Sequence, residues 1–345
     1  MDQRSRVVVI GGGQAGLAMA YFLRRARIDH VVLDNQPAPG GAWPHTWPSL
    51  RLFSPAEFSS LPGWRMPPYG PGNPDAAHVI DYLTRYEQRY DIPVHRPVTV
   101  RRVTGGTGAF RIETDGDTWL AESVVSATGT WSRQFVPFYP GMDQFTGTQT
   151  HSAFYAGPEA YAGRRVLVVG GANSGAQIAA ELSWVSDLTW CTLGPPRYLP
   201  DDVDGRELFQ IASARVRGGG KPISQLGDIV VLPPVKKARD AGKLAAVGMF
   251  DRFTPTGIVF DDGTERPIDD VIWCTGFRPA LGHLNGLELT RHGRHIVTDG
   301  TPIVPGLPGL YLLGYGDWCG PASATLIGVG QWARRIAHDL SGKDD

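Results

Sequence analysis

Residues 7–34, VVVIGGGQAGLAMAYFLRRARIDHVVLD, open on four apolar positions and break at three glycines. An amphipathic stretch of helical period follows, and the run closes on a second apolar segment. That order predicts strand, tight turn, helix, strand. Residues 166–193, VLVVGGANSGAQIAAELSWVSDLTWCTL, repeat it, with Gly11 and Gly16 recurring as Gly170 and Gly175 at an offset of 159. A smaller pair repeats too: VVSATGTW (124–131) and VIWCTGFR (271–278) each read as a buried strand ending in Thr-Gly. The chain therefore holds two similar halves and is not a long repeat array.

Between 35 and 75 neither period survives, yet the segment is dense in Trp, Phe and Pro. Aromatic density argues against disorder, and a long irregular stretch in a compact domain is expected to be functional. The pattern then predicts a helix over about 76–90 and short alternating segments near 97–103, 110–113 and 118–120. These form a small antiparallel meander leading into a strand at 123–127. A second long insert spans 194–245. GLYLLGYGDW predicts a strand entering a turn, and ASATLIGVGQWARRIAHDL a helix with Ser323 or Thr325 near its start.

Composition narrows the class. A length of 345 residues suggests about two domains, and 42% hydrophobic with 19% charged residues fits a globular enzyme. A formal charge of −1 leaves no basic surface for nucleic acid. No stretch approaches the roughly 18 apolar residues of a membrane span, and the N-terminal apolar run is too short for a signal peptide. Cys191, Cys274 and Cys319 give no C-x-x-C and no metal spacing, which points to a reducing compartment. His292 and His295 have H-x-x-H spacing among turn glycines, with no cysteine near, so no metal is expected. The expectation is a cytoplasmic protein without nucleic-acid or membrane partners, with a homodimer left open.

The first turn carries G-x-G-x-x-G at Gly11, Gly13 and Gly16. The first glycine makes the turn, the second lets backbone approach a pyrophosphate, and the third lets helix pack on strand. The helix N-terminus then offers free N–H groups to the phosphates. Eighteen residues after Gly16 stands Asp34, placed to accept hydrogen bonds from ribose hydroxyls. The second turn has Ala172 where the first has Gly13, so one methyl crowds the close approach. The same step from Gly175 lands on Leu193, with Arg197 the nearest cation. NAD-selective sites place an acid here and NADP-selective sites an arginine. Weak discrimination between NADH and NADPH is therefore expected. Asn173 and Ser174 are expected to face the phosphates, a role compatible with helix capping.

Two dinucleotide turns imply hydride transfer between two carriers, with FAD expected at the first. LLGYGDW resembles the flavoprotein Gly-Asp motif, matched by Gly316 and Asp317. The fold expected is α/β, with two Rossmann-like domains. The FAD domain is discontinuous, 1–160 and 275–345, and the nicotinamide domain, 161–274, is inserted into it. Paired cysteines, which disulfide reductases of this architecture use, are missing. The residues alone leave the hydride acceptor open between a quinone, a redox protein and O2.

GGGQAG, PGGAW (39–43), SATGTW, FTGTQTHSAFY (145–155), GGANSG, CTGFRP (274–279) and LLGYGDW together resemble the flavin-containing monooxygenases, small bacterial members especially. The resemblance runs nearly end to end. Related Baeyer–Villiger enzymes carry Trp then Pro or Asp where this chain has Tyr155 and Ala156, which favours the first branch. The resemblance implies that NADH or NADPH reduces FAD, that O2 adds to give a peroxyflavin shielded by the oxidised nicotinamide, and that a soft nucleophile such as a thioether or amine takes one oxygen. It implies FAD contacts at Gly11, Gly13, Gln14, Ala15, Gly16, Asp34, Gly41, Ala42, Trp43, Ala127, Thr128, Gly129, Gly316 and Asp317. It implies nicotinamide-nucleotide contacts at Gly170, Ala172, Asn173, Ser174, Gly175, Leu193, Arg197, Thr275 and Gly276. The 35–75 segment becomes a wall of the flavin site. Many members carry Asn where this chain has Phe53, which cannot donate a hydrogen bond, so more reducing equivalents are expected to end as peroxide; the alternative is that Phe53 is a core-packing residue. The competing readings are a reductase or oxidase of the same fold without oxygen transfer, and a low-turnover redox sensor. His151 and Tyr155 are expected to fix how the two domains face each other, with Gly147 permitting a tight turn. Asp201, Asp202 and Asp204 are read as solvated loop ahead of a substrate edge.

Overall fold

The computed structural model describes residues 2–201, 203, 207 and 229–342. Strand β1 (Asp2–Ile10) runs through the glycine turn into helix α1 (Gln14–Arg25), which returns to β2 (His30–Leu33). β1 pairs parallel to β2, with Val7 opposite His30. Helix α2 (Ala76–Arg89) starts where Asp75 Oδ1 accepts the His78 N–H at 2.9 Å. β3 (Val94–His95) adds to β2, and β4 (Val100–Gly106), β5 (Ala109–Thr114) and β6 (Thr118–Ser126) form the meander.

The segments expected at 118–120 and 123–127 are one strand. β6 changes partner along its length: Thr118–Ala121 lie against β5, antiparallel, and Val124–Ser126 against the C-terminal strand, parallel. Its burial changes in step, alternating in the first part and continuous in the second. Parallel strands covered on both faces read as unbroken apolar runs, which is why one strand looked like two.

The second sheet takes β7 (Thr148–His151), β8 (Arg165–Val169), β9 (Asp187–Cys191), β10 (Ala246–Val247) and β14 (Asp270–Trp273), in the order β10-β9-β8-β14-β7. Helix α3 (Asn173–Leu182) leaves its glycine turn, and α4 (Pro233–Asp240) packs on α3. A three-stranded sheet, β11 (Arg252–Thr254), β12 (Gly257–Val259) and β13 (Glu265–Pro267), covers the other face. The chain has thus joined the second sheet by Thr148, ahead of the boundary drawn at 160, because β7 pairs in parallel register with β14. The hairpin β15 (Arg291–His292) and β16 (His295–Ile296) precedes β17 (Leu310–Leu312), which returns the chain to the first sheet beside β6.

The C-terminal helix, α5 (Val329–Leu340), starts later than Ser323 or Thr325. Ala322 sits at φ 58 and a Cβ on Gly328 would stand 2.3 Å from the Ala322 carbonyl, so residues 320–328 are held as turns. Thr325 Oγ1 accepts the Gly328 N–H at 3.0 Å, ending the turns where the helix begins.

Residues 35–75 contain only two short 3₁₀ turns, yet they are tied down. From α2, the Tyr82 hydroxyl donates to Trp64 O at 2.7 Å and accepts the Leu61 N–H at 2.8 Å, and Tyr86 donates to Pro62 O at 2.6 Å. Arg85 and Arg89 each lie 5.3 Å from the Trp64 ring. Further back in the segment, Trp47 is buried in the core of the second half, among Val166, Ile178 and Trp190.

Candidate active site

At the first turn, Gly11 has φ 107, and a Cβ there would stand 2.5 Å from the Ala127 carbonyl. A Cβ on Gly16 would stand 1.9 Å from Gly11 O, so α1 rests directly on the turn. Gly13 caps α1 without a side-chain hydrogen bond, and the first turn has no acid. Its orphan N–H groups and positive dipole end therefore suit an anion. They face a cavity of about 560 Å³. Gly11, Gly13, Gln14, Ala15, Asp34, Gly41, Ala42, Trp43, Ala127, Thr128 and Gly129 all line it. Gly41, at φ 59, lets two backbones meet, since its Cβ would lie 2.8 Å from Gly13 Cα. Gln14 locks the neighbouring loops, donating to Ala324 O at 2.7 Å and accepting from Trp43 Nε1 at 3.2 Å.

Gly16 belongs to the packing beneath the turn, not to the lining. Gly316 and Asp317 follow Tyr315, which lines the cavity, and the Asp317 carboxylate accepts the Ala322 N–H at 2.9 Å. Asp34 is 3% exposed, and its Oδ2 accepts from Arg96 Nε at 2.8 Å.

A polar network under the cavity was not read from the sequence. The Tyr315 hydroxyl lies 2.5 Å from Ser126 Oγ and 2.7 Å from Thr128 Oγ1, and accepts the Thr128 N–H at 3.1 Å. Ser126 Oγ is 2.9 Å from His283 Nε2, and Thr128 donates to Ala280 O. The network ties SATGTW to LLGYGDW. Burial pushes the His283 pKa down to about 4 and the Tyr315 pKa up to about 12, so both stay neutral near pH 7.

The second turn repeats the backbone. Gly170 has φ 136 and its Cβ would stand 2.3 Å from Cys274 O, while a Cβ on Gly175 would stand 2.0 Å from Gly170 O. Ala172 is the extended cap of α3. Asn173 Oδ1 accepts the Val230 N–H at 2.8 Å, fastening the insert to the helix start, and Ser174 beside it is half-buried. Leu193 is 96% exposed. The Arg197 carbonyl accepts the Ile229 N–H at 3.1 Å. Thr275 Oγ1 donates to Phe135 O, and Gly276 O accepts from both Phe135 N–H and His151 Nε2.

His151 accepts the Ala153 N–H on Nδ1 at 3.1 Å, so Nε2 carries the proton it gives to Gly276 O at 3.0 Å. Burial lowers its pKa. Both nitrogens are thus engaged in joining β7 to the turn after β14. Tyr155 donates to Glu181 Oε2 at 2.9 Å, and Glu181 Oε1 also accepts from Ser49 in the aromatic segment. Gly147 is needed for close approach, since its Cβ would stand 2.4 Å from Asp269 O; the tight turn expected there needs no left-handed backbone. Phe53 is half-buried against Leu199, Val230 and Leu232, outside the cavity lining. Asp201 pairs with Arg239 and Lys236 on the surface, while Asp202 and Asp204 lie outside the described residues. His295 stacks on Trp318 with centroids 4.8 Å apart.

The three cysteines are free and buried in three different core clusters, and burial raises each thiol pKa. No thiol pair stands ready to pass electrons. Among the described residues, no helix is long and apolar enough to cross a membrane.

Residues 8–190 match the family described as pyridine nucleotide-disulphide oxidoreductase. A flavin-containing monooxygenase from Stenotrophomonas maltophilia is 50% identical, with 98% of each chain covered and a TM-score of 0.91. This chain belongs to the flavin-containing monooxygenase family. An oxidoreductase named CzcO-like from Geobacillus kaustophilus is 30% identical over 342 residues, 97% of each chain. An indole-3-pyruvate monooxygenase, YUCCA1, of Oryza sativa subsp. japonica is 26% identical over 377 residues, covering 96% of this chain and 90% of that one. As a family member the chain is an FAD-dependent monooxygenase with FAD and NAD(P)H as cofactors, built on two Rossmann-like folds. The residues present fit FAD: an uncapped helix end, a glycine turn with no room for a Cβ at Gly11 or Gly41, and the Asp34 carboxylate share one cavity.

Proposed function

We propose that this monooxygenase uses NADH or NADPH and O2 to oxygenate soft nucleophiles, thioethers foremost. The observation that supports this is that Asp34 and His283, buried acid–base groups of the cavity lining, are engaged by the protein. Asp34 Oδ2 accepts from Arg96, and His283 is buried in the Tyr315 network. FAD, when bound, supplies the redox and oxygen chemistry. The first turn holds its phosphates and Asp34 its adenosine ribose. Substrates that are nucleophilic without deprotonation, as thioethers and amines are, suit such a site. His45, Trp131 and Phe277 stack in series, with centroids 6.4 and 5.2 Å apart, and give the cavity lining a row of ring faces.

The test is product analysis with thioethers, amines and cyclic ketones, counting peroxide alongside NADH consumed. Sulfoxide formed in step with oxygen uptake is the expected result. Peroxide equal to NADH consumed, with no oxygenated product, would establish an oxidase instead. The second turn carries the exposed Leu193 where an acid or arginine would select a nucleotide. A kcat/KM preference below about 100-fold between NADH and NADPH is therefore expected in steady-state kinetics, and a larger one refutes the reading.

A further inference from the structure

Arg96 stands behind the first turn, outside the cavity lining, with its side chain 10% exposed. Its guanidinium is directed at two carboxylates. Nη1 and Nη2 donate to the two Glu87 oxygens at 2.7 and 2.8 Å, and Nε donates to Asp34 Oδ2 at 2.8 Å. The backbone repeats the attachment: Asp34 N–H donates to His95 O at 3.1 Å, and Asp34 O accepts the Val98 N–H at 2.8 Å. Gly12 leaves the room, since a Cβ there would lie 2.7 Å from Asp34 Oδ2 and 2.9 Å from Arg96 Nη2. Asp34 Oδ1 takes no hydrogen bond from the described residues, and Asp34 lines the cavity.

We propose that Arg96, braced by Glu87, is a positioning residue for the cofactor ribose. It holds one Asp34 oxygen so that the other is aimed at the hydroxyls before the cofactor arrives. The inference rests on the reading of Asp34 as the ribose acceptor. An Arg fork is suited to this because bidentate pairing to Glu87 fixes the direction of the remaining Nε–H. Glu87 lies on α2, the helix that anchors the aromatic segment, so the brace also connects that segment to the ribose end of the site.

The experiment loads the full-length protein with FAD or with its 2′,3′-dideoxyadenosine analogue and follows release by flavin fluorescence. Wild type should release the analogue about 10- to 100-fold faster than FAD, the range of one or two hydrogen bonds to a charged group. Arg96→Met should bring that ratio to about threefold or less, and Glu87→Gln to an intermediate value. A general loss of packing would speed both releases and leave the ratio unmoved. A wild-type preference that persists in both variants overturns the role of Arg96. A wild-type ratio near one instead overturns the ribose role of Asp34. If Arg96→Met does not fold, Glu87→Gln decides, because it keeps the side-chain shape.

Discussion

The two glycine turns share a backbone and differ in everything around it. In each, a left-handed glycine presses on the carbonyl before a Thr-Gly turn, and a third glycine rests a helix on the first. The first turn opens on a deep cavity, with a braced carboxylate at its edge and a closed hydroxyl network beneath. The second has an exposed leucine at the corresponding edge and an asparagine committed to the neighbouring insert. One device has been finished as a permanent seat and once as an open landing. That suits one cofactor that stays and another that comes and goes.

The strongest way to break this contrast is to add one methyl to each turn. Gly16→Ala and Gly175→Ala place a Cβ against carbonyl oxygens at 1.9 and 2.0 Å. Gly16→Ala should purify without flavin. Gly175→Ala should stay yellow but lose at least about 100-fold in NADH oxidation, measured at 340 nm. Flavin loss from both would show that the halves are not separately finished.

A smaller effect probes the network under the first cavity. Since the folded His283 pKa is pushed down to about 4, the unfolded chain binds the extra proton first. Stability should be full above about pH 6.5 and fall as pH drops toward 4, by up to about 3 kcal/mol. Urea midpoints across that window check it, and His283→Gln should flatten the dependence. His151, also lowered by burial, acts with the same sign in the second half, so His151→Gln serves as the comparison.

The smallest effect lies where the aromatic segment meets the second half. Tyr155→Phe removes the bond to Glu181 and should cost about 1 kcal/mol by denaturant unfolding. Combined with Ser49→Ala it should fall short of additivity by about 0.5 kcal/mol, because both hydroxyls share one carboxylate. Strict additivity would mean that Glu181 does not couple the aromatic segment to the second half.

Local patterns carried a large part of this architecture. Both turns, their helices and α2, expected at about 76–90 and found at Ala76–Arg89, follow from periodicity and caps within a few residues. What stayed hidden depends on distant partners. Arg96 meets Asp34 across 62 positions and Tyr315 meets Ser126 across 189, and no spacing rule in a single sequence links them. The late start of α5 was hidden for another reason: apolar spacing continues upstream through turns that only the Ala322 and Gly328 geometry enforces. Phe53, expected either beside the flavin or in core packing, packs against Leu199, Val230 and Leu232, neighbours that the insert supplies from far along the chain.

Trp47 belongs by sequence to the segment after the first repeat, yet its ring completes the core around α3. The second half is therefore not a cassette. Grafting residues 161–274 alone would leave a tryptophan-sized hole in that core. Any exchange of that half between relatives must carry the 47–50 stretch with it.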